Sequence, residues 1–291
     1  PCISGKRIFV TTYDKDESAV AVVCLNRMTG EVLWEKKITV EKLENGHPSF
    51  NPASSSPCCD DQCVVAYFGS HGLVCLDLDG NQLWEKRLPL TKSFSGNATS
   101  PMIVGENVIL YRGNYVDHYL VCFDRKTGQE RWQIPQKEKF TGEMACTACP
   151  IIADDKLICH TARSVQAFDI KTGEEVWRTS NELASYSTPL LRNFGGKNRL
   201  LAWMRDQLLL VDPESGTVKD SFSWRADELF SVVAASPVVR GTEVLLSETY
   251  GGGSVLLDVE ADEAAVESSL IFANPRLMLC SIRFGNESIV M

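Results

Sequence analysis

The sequence predicts an all-β fold of repeated four-stranded antiparallel sheets, and three observations lead to this prediction. A motif of aspartate, glycine and tryptophan recurs about every 45 to 50 residues in the 291-residue chain. A small or polar residue followed by proline precedes each copy and opens a short apolar run. No window has the i, i+3, i+4, i+7 spacing of an amphipathic helix. This period is that of a β-propeller blade, whose faces are buried against neighbouring blades.

The motif is complete in four segments, counting Asn26 as a substitute for the aspartate, and degenerate in two more. The complete copies are Cys24–Trp34, Cys75–Trp84, Cys122–Trp132 and Ala167–Trp177. Leu210–Asp220 keeps the aspartate and glycine without the tryptophan, and Leu256–Val266 keeps only the aspartate. The proline markers are Ser56-Pro57, Ser100-Pro101, Cys149-Pro150, Thr188-Pro189 and Ser236-Pro237. Pro1 fits the same position, and Asn274-Pro275 fits the start of a seventh unit.

The phase of these markers defines the domain organisation. We expect one β-propeller domain over residues 1–291, with about six blades and a partial seventh, taken from a longer protein whose ring has seven or eight blades. The repeats are expected at 1–53, 54–97, 98–145, 146–184, 185–233, 234–271 and 272–291.

Short β-branched or aromatic runs separated by turn signals give four strands per repeat. In the third repeat the predicted strands are Pro101–Val104, Asn107–Arg112, Tyr119–Asp124 and Glu130–Ile134. Asp258–Ser269 is rich in acids and alanine, but it aligns with a hairpin and is predicted as part of a degenerate repeat. The run Gly251–Ser254 is predicted to be a flexible loop between strands of the sixth repeat.

The recurring residues have a local physical role. The aspartate side chain can accept N–H groups of the following turn, and glycine takes a positive φ at little steric cost. The tryptophan follows at the strand end, where its ring can cover the seam to the next blade. The residues assigned to this structural motif are Asn26, Gly30, Trp34, Asp77, Gly80, Trp84, Asp124, Gly128, Trp132, Asp169, Gly173, Trp177, Asp212 and Gly216.

These residues resemble the pyrroloquinoline-quinone-like (PQQ-like) propeller repeat. Ala167–Trp177 matches its pattern Ala-x-Asp-x-x-Thr-Gly-x-x-x-Trp at every fixed position, and cysteine replaces the alanine in the other complete copies. The resemblance covers nearly the whole chain. It implies relatives among quinoprotein alcohol dehydrogenases, BamB-like outer-membrane assembly lipoproteins and sensor regions of bacterial kinases. The chain looks most similar to uncharacterised bacterial members of planctomycete type, and the family implies a periplasmic or other extracytoplasmic location.

Composition limits the classes of function. The net charge of −9 would repel phosphate backbones, so we expect no nucleic-acid partner. No apolar run is long enough to span a membrane. The eleven cysteines are odd in number, so at least one lies outside any intramolecular disulfide. Cys24, Cys75 and Cys122 share one strand position and are predicted as small core residues.

Cys58-Cys59 is the most prominent candidate site. Quinoprotein dehydrogenases, which this repeat resembles, carry a disulfide between adjacent cysteines beside the cofactor. Here the pair follows Ser56-Pro57, where other repeats place apolar strand residues, so an ordinary inner-strand pair is the main interpretation. A redox role, or a disulfide or contact with Cys63, are the alternatives.

Other candidate sites have ordinary explanations. Cys146 and Cys149 form one CxxC, whereas a zinc site of this type needs a second. The histidines show no metal-binding spacing, and His71 is predicted to be exposed in a tight turn. Asp77 to Asn81 resembles a calcium loop, but Leu88 stands where the bidentate glutamate is needed, which favours turn chemistry.

We therefore expect a propeller that is more a scaffold than an enzyme, with no catalytic residue, metal or cofactor. Its partner, a protein or a small ligand, is expected at the inter-blade loops, above all Glu41–Ala53 and Lys137–Ala145, because loops on a rigid scaffold carry recognition. One alternative is a fragment of a quinoprotein dehydrogenase, which would need PQQ with calcium. The other is a sensory ectodomain attached to a kinase or a membrane anchor.

Overall fold

The computed structural model describes residues 1–44, 47, 50–90, 96, 99–113, 117–138, 148–226, 232–250, 252–261, 266–274, 281–284 and 287–290. The chain divides into two compact units, Pro1–Ala145 and Cys146–Met291. Apart from one turn of 3-10 helix at Gly69–His71, the described residues form only strands and connections, which confirms the predicted all-β class. None of the described helices could cross a membrane.

The first unit contains three four-stranded antiparallel blades with their strands in chain order. Blade 1 consists of β1 (Cys2–Ser4), β2 (Arg7–Asp14), β3 (Ala19–Asn26) and β4 (Val32–Thr39). Blade 2 consists of β5 (Cys58–Cys59), β6 (Cys63–Tyr67), β7 (Leu73–Asp77) and β8 (Gln82–Lys86). Blade 3 consists of β9 (Met102–Val104), β10 (Asn107–Arg112), β11 (Tyr119–Asp124) and β12 (Glu130–Pro135), within one residue of the strands predicted for this repeat.

The second unit contains three more blades and a hairpin. Blade 4 has β13 (Ile151–Ala153), β14 (Lys156–His160), β15 (Val165–Asp169) and β16 (Glu175–Arg178). Blade 5 has β17 (Leu190–Phe194), β18 (Lys197–Trp203), β19 (Gln207–Val211) and β20 (Val218–Ser223). Blade 6 has β21 (Val238–Arg240), β22 (Glu243–Glu248), β23 (Gly253–Ala261) and β24 (Val266–Asn274), and β25 (Ser281–Phe284) pairs with β26 (Glu287–Val290).

The flexible loop predicted at Gly251–Ser254 is wrong for its described end, because β23 already begins at Gly253. Ser254 is fully buried there, and its hydroxyl donates to Ser247 Oγ over 3.0 Å. Gly251 lies outside the described residues.

The connections of each blade lie at its two opposite ends, here called the turn end and the loop end. The turn end carries the aspartate–glycine turn between its third and fourth strands. The loop end carries the connection between its second and third strands and the connection to the next blade. In blade 3, Asp124 Oδ1 accepts the backbone N–H groups of Lys126 and Thr127, and Gly128 has a φ of +68°. The turns that start at Asn26, Asp77, Asp169 and Asp212 are capped in the same way.

The tryptophans Trp34, Trp84 and Trp177 are each used twice. Within its own blade each lies opposite the small first residue of the motif, as Trp84 does opposite Cys75, at a register shift in the ladder. Towards the next blade, the Trp84 indole N–H donates to the carbonyl of Arg125 over 2.7 Å and its ring covers Gly128. Trp34 with Leu78 and Trp177 with Pro213 repeat this hydrogen bond.

The proline markers also link neighbouring blades. The hydroxyl of Ser100 accepts the backbone N–H of Ser56 over 3.0 Å, and in the second unit the hydroxyl of Thr188 accepts the N–H of Cys149 over 3.1 Å. The hydroxyl of the residue before proline therefore accepts a backbone N–H of the preceding blade that has no partner in a strand. This explains why the marker is so often serine or threonine.

The core consists of apolar layers between blades. One layer packs blade 1 on blade 2 and another packs blade 2 on blade 3, while equivalent layers join blades 4 and 5 and blades 5 and 6. Both faces of a middle strand are covered, so all five residues of β6 are buried. Middle strands are consequently continuous apolar runs without the alternation of a one-sided sheet.

Candidate binding site

The turn end of the blades is occupied by packing interactions. The motif turns predicted to be structural lie there and are capped, and those closed by Gly80, Gly128 and Gly216 are covered by the tryptophan of the preceding blade. Arg125 is also buried at this end and is neutralised by Asp60 and by Glu106, whose oxygen lies 3.1 Å away. A ligand would have to displace these contacts to bind at the turn end.

Cys58 and Cys59 point to opposite faces of β5. Cys58 packs in the layer towards blade 3 and Cys59 packs in the layer towards blade 1, as expected for successive residues of a strand. Both are free thiols, and Cys58 interacts with Cys63, the contact considered from the sequence. Burial and the neighbouring thiols of Cys63 and Cys59 raise the pKa of Cys58. The arrangement is that of strand thiols packed in two separate apolar layers.

Two pairs of thiols interact in the first unit. Cys2 of β1 interacts with Cys59 of β5, and Cys63 of β6 interacts with Cys75 of β7. The interaction with Cys59, followed by burial, raises the pKa of Cys2. The CxxC cannot be described as a pair because Cys146 lies outside the described residues, whereas Cys149 is half-buried.

The prediction that His71 is exposed is wrong, because its side chain is 1% exposed. The turn at Gly69–His71 folds back against β8, and the histidine lies between two charged groups. Arg87 Nη1 donates to His71 Nδ1 over 2.8 Å, and Nε2 lies 3.5 Å from Glu85 Oε1. Burial, followed by the charge of Arg87, lowers the pKa of His71, so the imidazole is neutral at pH 7.

The calcium-like segment is a capped turn. Asp77 Oδ1 accepts the backbone N–H groups of Asp79 and Asn81, and Asp77 Oδ2 accepts the Asn81 amide over 2.8 Å. Both carboxylate oxygens are therefore engaged within the turn. Across the described residues, no group of three or more His, Cys, Asp or Glu side chains is placed to bind a metal ion.

Both loops predicted to carry recognition are described in part. In Glu41–Ala53, Glu44 is buried and its Oε2 accepts the backbone N–H of Ser70 over 2.9 Å, so this connection holds the 3-10 turn of blade 2. Residues 45, 46, 48 and 49 of that loop, and 139–145 of Lys137–Ala145, lie outside the described residues.

A cavity of about 360 Å³ opens at the loop end of blade 3. Ligand sites commonly have volumes of about 300–1,000 Å³. The residues that line it are Pro89, Leu90, Arg112, Asp117, His118, Tyr119, Gln133, Pro135 and Gln136. A second depression, of about 460 Å³, lies on blade 1, where the polar groups around it, such as Lys37 with Glu17, are solvent-exposed ion pairs. The cavity of blade 3 differs because its central cation is buried.

Arg112 is that cation. It ends β10 and is 1% exposed. Its Nη1 donates to the Tyr119 hydroxyl over 3.0 Å, its Nε donates to the Tyr67 hydroxyl over 3.4 Å, and its Nη2 donates to the carbonyl of Pro89. The guanidinium carbon lies 5.8 Å from the centre of the Tyr119 ring. All these partners are neutral, and no carboxylate of the described residues forms an ion pair with Arg112.

His118 forms the neighbouring wall of the cavity, and its imidazole is neutral. It is 5% exposed, and burial lowers its pKa. Because a carbonyl can only accept, the contact of Nε2 with the Glu138 carbonyl assigns the proton to Nε2. Nδ1 then accepts from the Tyr111 hydroxyl over 3.0 Å. The imidazole therefore adds rigidity to the cavity and no charge.

The site was missed from the sequence because Arg112 ends an apolar strand that looks like core. Only the position of a charged residue within the run Val108–Arg112, just before a connection, could have drawn attention to it. Tyr67 and Pro89, which hold the guanidinium, come from blade 2 and from its connection to blade 3. Spacing along the chain does not reveal this convergence.

Comparison with known proteins identifies the family of the chain. The family model described as outer membrane protein assembly factor BamB matches residues 1–145 and 116–278. The chain belongs to this family. The outer membrane protein assembly factor BamB of Burkholderia pseudomallei (strain K96243) is 23% identical over 262 residues, which cover 87% of the chain. The chain spans 61% of the length of that relative.

Solved structures confirm the propeller fold. BamB from Moraxella catarrhalis superposes with a TM-score of 0.64 at 14% identity, covering 99% of this chain and 81% of that protein. A europium-containing methanol dehydrogenase superposes with a TM-score of 0.65 at 10% identity, covering 92% of this chain and 65% of that enzyme. At these identities the structural similarity is one of fold, shared by binding proteins and enzymes alike.

Proposed function

We propose that this BamB-family chain is a non-catalytic scaffold that holds a partner protein at the loop end of its blades, outside the cytoplasm. The observation that carries the proposal is the cavity of blade 3, where the partners of a buried arginine among the described residues are all neutral. The turn end, by contrast, is engaged in blade packing. A relative named as an assembly factor supports a role in holding other proteins. A net charge of −9 supports a protein partner over nucleic acid.

Site-specific photo-crosslinking tests this proposal. A photoreactive amino acid is placed at Leu90 on the loop end or at Val32 on the turn end, in the native protein expressed in its source organism. These positions are 49% and 62% exposed, so both are accessible. We expect one discrete protein adduct from Leu90 and none from Val32. Equal capture from both ends, or no capture from Leu90, would refute the proposal.

The second candidate is a quinoprotein dehydrogenase, favoured by the superposition on a methanol dehydrogenase. That activity would require PQQ with a metal ion. The described residues do not fit this requirement, because they offer no cluster of carboxylate ligands, and Cys58 and Cys59 point to opposite faces of β5. Purified protein incubated with the quinone and calcium is expected to show no dye-linked alcohol oxidation. Turnover above a no-protein control would establish this candidate instead.

A further inference from the structure

We infer that the cavity of blade 3 recognises a carboxylate group, which Arg112 binds. The inference rests on the proposed function, since it names the chemical group that the partner would present at the loop end. A free organic acid and an acidic side chain of a protein carry the same group, and the experiment below distinguishes them.

The hydrogen bonds of Arg112 leave room for such a ligand. A guanidinium has five N–H donors, and Nε uses its only one on Tyr67. Nη1 and Nη2 each use one donor, on Tyr119 and Pro89, so each keeps one N–H without a partner among the described residues. Two donors on neighbouring nitrogens can bind the two oxygens of one carboxylate.

Because the Arg112 guanidinium is buried, a counterion would stabilise it strongly. A desolvated cation is costly unless an anion or several hydrogen bonds compensate it. Arg125, which is 6% exposed in the same blade, shows the usual solution, because Asp60 and Glu106 pair with it. Arg112 has two phenols and one backbone carbonyl in place of such partners. A carboxylate from outside would complete the same arrangement.

The walls select a carboxylate over a more highly charged anion. Among the described residues that line the cavity, Arg112 is the one cation, because His118 is neutral. Asp117, exposed at the rim, would repel a phosphate dianion more strongly than a carboxylate. Pro89, Leu90 and the Tyr119 ring provide apolar surface for the carbon atoms next to the acid.

Matched probes of equal shape test the inference by NMR titration of the whole chain. Benzoate and benzamide form one pair, and acetyl-Leu-Glu-amide and acetyl-Leu-Gln-amide form the peptide pair. We expect each acid to bind at least about tenfold more tightly than its neutral partner, as for a hydrogen bond to a charged group. Tight binding of the peptide acid alone would assign the site to protein side chains, and tight binding of benzoate alone to free acids. Equal binding of acid and amide in both pairs would overturn the inference.

Substitutions test whether Arg112 is responsible for the preference for acids over amides. Arg112→Gln should abolish the preference for the acid, whereas Arg27→Gln removes one charge from an exposed position and should preserve it. Asp117→Asn changes an exposed residue and should strengthen benzoate binding two- to fivefold, as an order-of-magnitude expectation for one removed surface charge, without changing benzamide binding. A preference that survives in folded Arg112→Gln would refute the assignment. If Arg112→Gln does not fold, unchanged benzoate binding by Asp117→Asn refutes it.

Failure of this inference can be separated from failure of the scaffold. If Leu90 captures a protein while acids and amides bind equally, the scaffold stands and the carboxylate specificity is wrong. If acids bind through Arg112 but Leu90 captures no protein, the cavity is a small-acid site and the scaffold is wrong.

Discussion

Replacing Gly128 with alanine should destabilise the protein far more than the same change at Gly30. Both glycines close the motif turn and have a positive φ, +68° at Gly128 and +76° at Gly30. A Cβ at Gly30 meets nothing within 4 Å. A Cβ at Gly128 would lie 2.7 Å from Trp84 Cδ2, well inside the 3.5–4.0 Å of normal carbon contacts. The two positions therefore separate the cost of backbone conformation from that of the indole contact.

The expected magnitudes follow from these contacts. Alanine in the left-handed region costs about 1–2 kcal/mol, and both variants bear this cost. At Gly128 the Trp84 ring, which is 8% exposed, must also move, and overpacking of this kind costs about 1–3 kcal/mol. Moving the ring strains the 2.7 Å hydrogen bond to Arg125, worth about 1 kcal/mol. We expect Gly128→Ala to lower the free energy of unfolding by about 2–4 kcal/mol more than Gly30→Ala.

Urea denaturation followed by far-UV circular dichroism measures both values. A double-mutant cycle with Trp84→Ala then isolates the contact, because alanine at 128 meets no ring once the indole is gone. In the Trp84→Ala background, Gly128→Ala should cost no more than Gly30→Ala does in the wild-type chain. Equal losses for the two single variants, or a cycle with no coupling energy, would refute the argument that the glycine is required by the tryptophan of the preceding blade.

Two further predictions concern buried titratable groups. Burial lowers the pKa of His160 to about 3, against an ordinary 6.5, so only the unfolded chain gains its proton between these values. The free energy of unfolding should therefore fall as the pH drops below 6.5. His160→Gln should reduce the slope of the free energy of unfolding against pH by about 1.4 kcal/mol per pH unit. Urea titrations at pH 5 and pH 6 measure this slope, and an unchanged slope in the variant would contradict the prediction. Oxidation by diamide should join Cys59 to Cys2, because the contact with Cys2 lowers the pKa of Cys59, so that Cys59 supplies the reactive thiolate. Cys122 should stay reduced, because burial raises its pKa to about 11. Peptide mapping that finds Cys2 reduced after this treatment would contradict the pairing.

Local turn chemistry and the repeat period sufficed to predict the blades from the sequence. An aspartate that caps its own turn, as Asp124 does, acts within three residues, so its effect is visible in the order of amino acids. The same holds for the alternation of short apolar strands and turns, which placed the strands of blade 3 within one residue. Features of this kind depend on neighbours in the chain and on little else.

The candidate site could not be predicted in this way because its contacts join different blades. Tyr67 and Arg112 are 45 residues apart, and their hydrogen bond depends on how blade 2 packs on blade 3. The error at His71 has the same origin. A Gly-Ser-His-Gly segment looks like an exposed turn, yet a Cβ at Gly72 would lie 2.0 Å from the Lys86 carbonyl, so the turn packs tightly on β8.

The degenerate repeats indicate that the tryptophan of one blade and the glycine of the next serve a single contact between the two blades. In blade 5, Asp220 pairs with Leu210 at the ladder position that Trp132 occupies opposite Cys122 in blade 3. The next blade has lost the glycine, and its hairpin continues past the register shift to the pair Ala261 with Val266. Asp258 lies within that ladder, and its Oδ1 accepts no hydrogen bond from the described residues. Blade 5 has no tryptophan at position 220, and the next repeat has no glycine after Asp258. The two residues are lost together, as expected if they serve one contact between neighbouring blades.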